Sequence, residues 1–298
     1  MSRPGVLQRA LRAFGCAGFV PAGIRTRIVT RLHSPLTGEG HEFEVPVRGM
    51  RYAGKLDSYI DWRIYFFGSY EPYVIDTLEL LMRALPPGKR IAWDIGANSG
   101  QHTLMMARRL DAVHAFEPFA PVRAQLERNV ALNPPNRVTV HPFGLGDADE
   151  MRMFHAPDER NLGVGAFDGG FMGKGKSAAH ELQLRTGDSV VADGLAPPPG
   201  LIKIDVDGLE PSVLKGLRET VARHRPMVLL EYPALAYRTS GPPLSFTPAD
   251  YVHYAVSNRA RGPRLLPAEQ GEQNWDSALI PKELSGPVEA LAFYPQLV

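Results

Sequence analysis

The sequence predicts an α/β protein built around a mainly parallel sheet, and three stretches predict it. Ile91 to Ile95 is a short apolar strand that stops at a turn holding Gly96 and Gly100. A helix follows from Gln101, with Leu104, Ala107 and Arg108 at helical spacing. Ala112 to Phe116 is a second apolar strand, closed by Glu117 and Pro118. Leu201 to Ile204 is a third, with Asp205 at its carboxyl end and Pro211 opening the next helix. Strand, glycine turn, helix and strand make a βαβ unit, and such units stack into a parallel sheet.

The first turn narrows the ligand. Glycines there accept unusual dihedrals and let a ligand approach the main chain, while the new helix presents free N–H groups that suit a carboxylate or phosphate. Glu117 lies about 20 positions beyond the turn, where an acid accepts hydrogen bonds from both hydroxyls of a ribose. A dinucleotide site needs G-x-G-x-x-G, but Asn98 and Gln101 occupy the second and third glycine positions. A pyrophosphate would therefore meet side chains. A nucleoside without phosphates that carries a small carboxylate fits better, and S-adenosylmethionine is one. The competing reading is a different nucleotide on a Rossmann-like sheet.

The chain of 298 residues allows one large or two small domains. A formal net charge of +1 argues against a nucleic-acid surface spread over the whole molecule. The single cysteine, Cys16, excludes an internal disulfide and a thiolate metal cluster, and points to a reducing, cytoplasmic setting. No run of about 18 apolar residues predicts a membrane-spanning helix.

Residues 1–38 carry six arginines and no acid. Val6, Leu7, Ala10, Leu11 and Phe14 share one face of a short helix with Arg9 and Arg12 opposite. A transit peptide, a membrane-surface helix and a plain lead-in helix all fit, the last being simplest. A secretory signal does not, because Arg9 and Arg12 interrupt its apolar core. Weak alternation between Glu42 and Ala53 predicts a small β element. Asp57 to Pro72 is dense in aromatics (Tyr59, Trp62, Tyr65, Phe66, Phe67, Tyr70), a helix and turn packed on the sheet and a wall for the pocket of a second substrate. Pro72 opens a helix through Val74, Leu78, Leu81 and Met82.

Beyond Glu117, Val122, Leu126 and Val130 predict a second crossover helix, stopped by Pro134 and Pro135. Val138 to Phe143 is the next strand, running into a turn where Asp147 either accepts from an adenine amine or closes a polar turn. The glycine-rich stretch 161–176 suggests a flap. Val213, Leu214, Leu217 and Val221 form the inner face of the helix after Asp205, and Pro226 to Leu230 is a strand ending in Glu231. Thr247 to Asp250 resembles a capping box and predicts a helix to about Asn258, and Val288 to Phe293 reads as a last strand. Ligands of open α/β sheets bind beyond the carboxyl ends of strands, so Asp94, Glu117, Asp205 and Glu231 should share one rim.

Four stretches together resemble the FkbM-family methyltransferases. They are Asp94 to Gly100, Phe116-Glu117-Pro118, Asn129 with its helix, and Ile202 to Glu210. The last, with Lys203, Asp205, Asp207 and Gly208, is the most specific, and it departs from the family's commoner Glu at Asp207. The resemblance covers about residues 57–232. It implies a Rossmann-like, seven-stranded class I methyltransferase sheet with S-adenosylmethionine as cofactor and a hydroxyl on a sugar or natural-product-like small molecule as acceptor. It places Asp94, Gly96, Asn98 and Gly100 on the methionine side, Glu117 on the ribose, and Asp205 with Glu210 toward the reacting centre. The domain plan is then a small extension over residues 1–56 and a methyltransferase domain over 57–298, with its core at about 88–233.

A neutral alcohol is a weak nucleophile, so a base at hydrogen-bond range helps by roughly 10²–10⁴-fold. Asp205 is the best-placed candidate, ahead of Glu210, Glu231, Asp207, His102 and His180. A carboxylate there can instead hold the cofactor or cap the next helix. Asp205, Asp207, Glu210 and Glu231 also suggest Mg²⁺, but alternate residues of an extended segment point apart, and no metal is expected. A nicotinamide-dependent oxidoreductase and a non-catalytic module on the same fold are the rivals.

Overall fold

A computed structural model describes residues 4–34, 40–135, 137–156, 166–167, 178–206, 208–231, 250–257, 265–267 and 276–293. Two helices, α1 (Val6–Gly15) and α2 (Ala22–Leu32), precede an antiparallel hairpin of β1 (Glu42–Val47) and β2 (Met50–Lys55). The aromatic stretch forms α3 (Tyr59–Phe67), capped by the Ser58 side chain accepting from Asp61 N–H, and α4 (Pro72–Ala84) opens on its proline. The βαβ reading is then met in order: β3 (Ile91–Ile95), α5 (Gln101–Ala107), β4 (Ala112–Phe116), α6 (Ala120–Ala131) and β5 (Val138–His141).

A four-stranded sheet that the sequence did not announce comes next. It comprises β6 (Gly144–Leu145), β7 (Glu150–Ala156), β8 (Ala166–Phe167) and β9 (Ala178–Arg185), in the order β6-β9-β7-β8. The short α7 (Gly187–Ala192) returns the chain to β10 (Leu201–Ile204), followed by α8 (Glu210–Gly216), α9 (Arg218–His224) and β11 (Met227–Glu231). Then come β12 (Tyr251–Val256), β13 (Leu265–Pro267), β14 (Asp276–Pro281) and α10 (Lys282–Phe293).

The main sheet runs β13-β12-β14-β11-β10-β3-β4-β5. Strands β11, β10, β3, β4 and β5 are parallel, while β14 is antiparallel to β11 and β12 antiparallel to β14. This is the seven-stranded class I plan with β13 added at one edge. Strand order reverses between β3 and β10, which opens a crevice at their carboxyl ends. Period-two alternation assigns the faces. Ala92, Val113 and Leu201 pack with Leu78, Leu104, Leu126 and Val288 on one side. Trp93, Phe116 and Ile202 pack with Val190, Val213, Leu217 and Val221 on the other.

Two expectations are overturned. Tyr251–Val256 is a strand, not a helix running from the capping-like Thr247–Asp250. Its aromatic and β-branched residues pair with β14 along Tyr251↔Pro281 to Ala255↔Ser277, and that ladder outweighs a local capping signal. Conversely, Val288–Phe293 is not a strand but the end of helix α10, in which Val288 and Ala292, one turn apart, are buried. Gly286 and Pro287 both lie inside that helix. Among the described residues the last strand is Asp276–Pro281. Asp207 and most of the glycine-rich stretch 161–176 lie outside the described residues.

Candidate functional site

Three residues of the turn after β3 have left-handed backbone: Gly96 (φ +76°), Asn98 (φ +50°) and Gly100 (φ +92°). At Gly96 glycine is required twice over, since a Cβ would lie 1.9 Å from the Asp205 carbonyl oxygen. At Gly100 a Cβ would lie 2.5 Å from Leu126 Cδ1, so the turn also packs tightly on α6. Asn98 closes the turn by accepting from Ser99 N–H through Oδ1 at 2.7 Å.

Glu117 leaves the end of β4 and points back at this turn. Its Oε2 accepts from Asn98 N–H at 3.1 Å and its Oε1 from Phe119 N–H at 3.0 Å. Burial pushes its carboxyl up to about 7, against the pull of those two N–H groups. The result is a fixed acceptor beside the crevice.

Asp94 and Lys203 are register partners on β3 and β10, side by side on the α5 face. Asp94 is wholly buried; its Oδ2 accepts from the Thr103 hydroxyl at 2.6 Å, whereas its Oδ1 has no hydrogen bond and an ion pair to Lys203 Nζ at 3.4 Å. Lys203 Nζ also reaches Asp205 Oδ2 at 3.1 Å and donates to the Gly96 carbonyl at 3.2 Å. Burial alone would strip the lysine of its proton. Asp205 and Asp94 outweigh that and hold it charged.

Asp205 is the member of this pair of acids that reaches the rim, with 35% of its side chain exposed. Burial favours its neutral form, but Lys203 outweighs it and keeps the carboxylate ionised. Glu231, at the end of β11, is pushed up to about 9 by burial and then by the neighbouring Asp205, to which it hydrogen-bonds. A protonated Glu231 thus donates to an ionised Asp205.

Two more acids complete the rim. Asp276, the register partner of Glu231, is pushed up to about 7 by burial, Glu71 and Asp205. Glu71, in left-handed backbone at the start of α4, is likewise raised to about 7 by burial and Asp205. Tyr73 donates to Glu71 at 3.4 Å and also hydrogen-bonds Asp276, and the Tyr70 backbone is clamped by the Gln101 side chain at 2.7 and 2.9 Å.

The structure brings Asp94, Gly96, Asn98, Gly100, Glu117, Asp205 and Glu231 to one crevice. Glu210 has a different engagement: its Oε1 accepts from Val206 N–H at 3.1 Å and Gly208 N–H at 3.2 Å, closing the loop after β10. Asp147 is also committed, with Oδ1 accepting from Ser212 at 2.6 Å and Oδ2 from Lys215 at 2.8 Å. His102 is buried on α5, and burial with Lys203 lowers it to about 3, so it stays neutral. His180 sits on β9 with its ring 5.1 Å from Phe119. Sequence reasoning gave no role to Lys203, Glu71 or Asp276. The signal for Lys203 was available: a lysine in an otherwise apolar strand, two positions before an acid, needs a buried counter-charge.

A parallel sheet with this switch point, a glycine turn lacking pyrophosphate spacing and a buried acid at the end of β4 define a Rossmann-like methyltransferase sheet. The family described as "Methyltransferase FkbM domain" matches residues 94–250. That is over half the chain, and the chain belongs to this family, whose methyl donor is S-adenosylmethionine. The AMB antimetabolite synthetase AmbE of Pseudomonas aeruginosa is 31% identical, over 49% of this chain and 8% of AmbE. The hexuronic acid methyltransferase AglP of Haloferax volcanii is 28% identical, over 43% of this chain and 49% of AglP. The chain thus spans about half of AglP and a small part of AmbE. A solved FkbM methyltransferase from Methylobacillus flagellatus is similar at 20% identity and a TM-score of 0.42, covering 64% of this chain and 43% of that one.

Proposed function

We propose that the chain methylates a hydroxyl on a sugar or natural-product-like small molecule, with Asp205 as the group that takes the hydroxyl proton. The carrying observation is the series Lys203–Asp205–Glu231, in which a buried ammonium and a protonated carboxyl flank one ionised, partly exposed carboxylate. AglP, a relative named for hexuronic acid, supports a sugar-like acceptor.

The crevice suits the donor on chemical grounds. Asp94 and Asp205 share the single cation of Lys203, and the further acids along the rim favour a cationic ligand over a phosphate. Asp94, Gly96, Asn98 and Gly100 would hold the methionine part and Glu117 the ribose. The donor, when bound, supplies a methyl group already activated on a sulfonium. The protein's tasks are alignment, exclusion of water and custody of one proton. Asp205 accepts that proton from the acceptor hydroxyl, Glu231 stabilises the Asp205 carboxylate by hydrogen bonding, and Lys203 fixes it relative to Gly96. Asp147 holds its turn to α8 through Ser212 and Lys215, and Glu210 keeps the Asp205 loop closed.

Calorimetric titration with S-adenosylmethionine, with NADH in parallel, is the first test. Micromolar binding of the methyl donor that is lost in Glu117→Ala is expected; binding of NADH alone would overturn the proposal. Methyl transfer is then followed by mass spectrometry over hydroxylated acceptors. Asp205→Asn should bind the donor normally and lose roughly 10²–10⁴-fold in kcat. An unchanged kcat would remove Asp205 as the base.

A further inference from the structure

We propose that the outer face of α1 and α2 is a docking surface for an anionic lipid bilayer. The two helices bury little: Leu11 and Gly15 from α1, and Val29 from α2. What they leave outside includes a row of large apolar side chains. Ile24, Ile28 and Leu32 fall at i, i+4 and i+8 along α2 and are 51%, 39% and 57% exposed. Phe19, in the connection between the helices, is 90% exposed. Side chains of this size rarely stand in water as a continuous ridge unless a partner covers them.

Charge selects the partner. Arg27 and Arg31 are exposed, lie three positions after Ile24 and Ile28, and make no ion pair among the described residues. No acid occurs in residues 1–38. An apolar ridge flanked by exposed guanidinium groups, on a helix of net positive charge, is the layout of an interfacial helix. Such a helix sinks its apolar side to the acyl boundary and places its arginines among anionic headgroups. No helix of the described residues is long and apolar enough to cross a membrane, so contact would be with the surface.

The ridge is also joined to the rim. The Trp62 indole N–H donates to His33 Nδ1 just after α2 at 3.2 Å, Trp62 stacks on Tyr59 at 6.3 Å, and Tyr59 meets Tyr70 edge-on at 6.3 Å. Docking through α2 would therefore set the aromatic side of the crevice near the bilayer.

Co-sedimentation of the full chain with phosphatidylcholine vesicles, with and without phosphatidylglycerol, tests this. Binding to the anionic vesicles is expected to exceed binding to the neutral ones by roughly tenfold and to weaken in high salt. The double variants Ile24→Ser/Ile28→Ser and Arg27→Glu/Arg31→Glu should each abolish it. Both alter exposed side chains, so circular dichroism and donor binding should match the parent chain. No binding, or equal binding to both vesicle types, would overturn the proposal. So would a dimer in sedimentation velocity that Ile28→Ser disperses while vesicles remain unbound.

Discussion

At the residue scale, one buried lysine keeps Asp205 ionised against its burial. Lys203 pairs with Asp94 and Asp205 in a site that water does not reach from the Asp94 side. Lys203→Met keeps the stem's bulk but leaves two carboxylates facing each other, so the variant should lose about 3–5 kcal/mol in chemical denaturation. A loss under about 1 kcal/mol would show that Asp94 simply takes up a proton. Glu231 gives a second prediction, and its sign follows from linkage. Its folded-state value, about 9, lies above the ordinary glutamate value of 4.5. Its contribution is therefore complete below about 4.5 and is lost as pH rises through about 9. The parent chain should lose stability between pH 7 and pH 9, while Glu231→Gln, which mimics the protonated form, should lose less over the same interval. Parallel curves would place the proton elsewhere. Asp205 and Glu231 could be named from sequence because acids at strand ends face one rim; the sharing of charge among them depends on neighbours distant in the chain, such as Glu71 and Asp276.

At the scale of elements, the turn after β3 is defined by how closely two strands' ends approach. Gly96 and Gly208 both have positive φ, at +76° and +100°, but only Gly96 faces main chain, 1.9 Å from the Asp205 oxygen, while a Cβ at Gly208 would meet nothing within 4 Å. Gly208→Ala should therefore cost about 1–2 kcal/mol of backbone strain and keep donor binding. Gly96→Ala should abolish donor binding, because the turn or the Asp205 loop has to move. Equal effects in calorimetry and denaturation would mean that strain alone matters. This close approach was legible as a Gly-containing turn, and the parallel strands were legible because each is an apolar run ended by an acid or a turn. The elements beyond β11 were not. Tyr251–Val256 and Lys282–Phe293 take their form from partners, β14 for one and a helical packing face for the other, and their local signals point the opposite way. The sheet of β6, β7, β8 and β9 likewise depends on pairing across the glycine-rich stretch, which no periodicity announces.

At the scale of the whole molecule, the hairpin braces the turn after β3. Phe43, Val47, Met50 and Tyr52 belong to the same buried cluster as Leu104, Met105 and Leu126 from the helices over β3 and β4. Polar contacts then tie β2 to the turn itself. The Tyr52 hydroxyl joins Asp61 Oδ1 at 2.7 Å and Ser99 Oγ at 2.6 Å. Ala53 N–H donates to Asn129 Oδ1 at 2.8 Å, and Asn129 Nδ2 donates to the Ser99 carbonyl at 2.9 Å. Ser99 is thus held from two sides by residues that do not line the crevice. Asp61 is pushed up to about 6 by burial, with the Tyr52 hydrogen bond opposing that rise. Tyr52→Phe removes a single oxygen, leaves the ring packing in place and strips Asp61 of that bond. It should destabilise the chain by about 1.5–3 kcal/mol, the range for a buried hydrogen bond to a charged group. It should also weaken donor binding, because Ser99 loses one of its two anchors. Asn129→Ala should act through the other anchor, and the two changes should be non-additive in donor affinity, since both release the same residue. Strict additivity in the double variant would mean that the hairpin stabilises the sheet without positioning the turn.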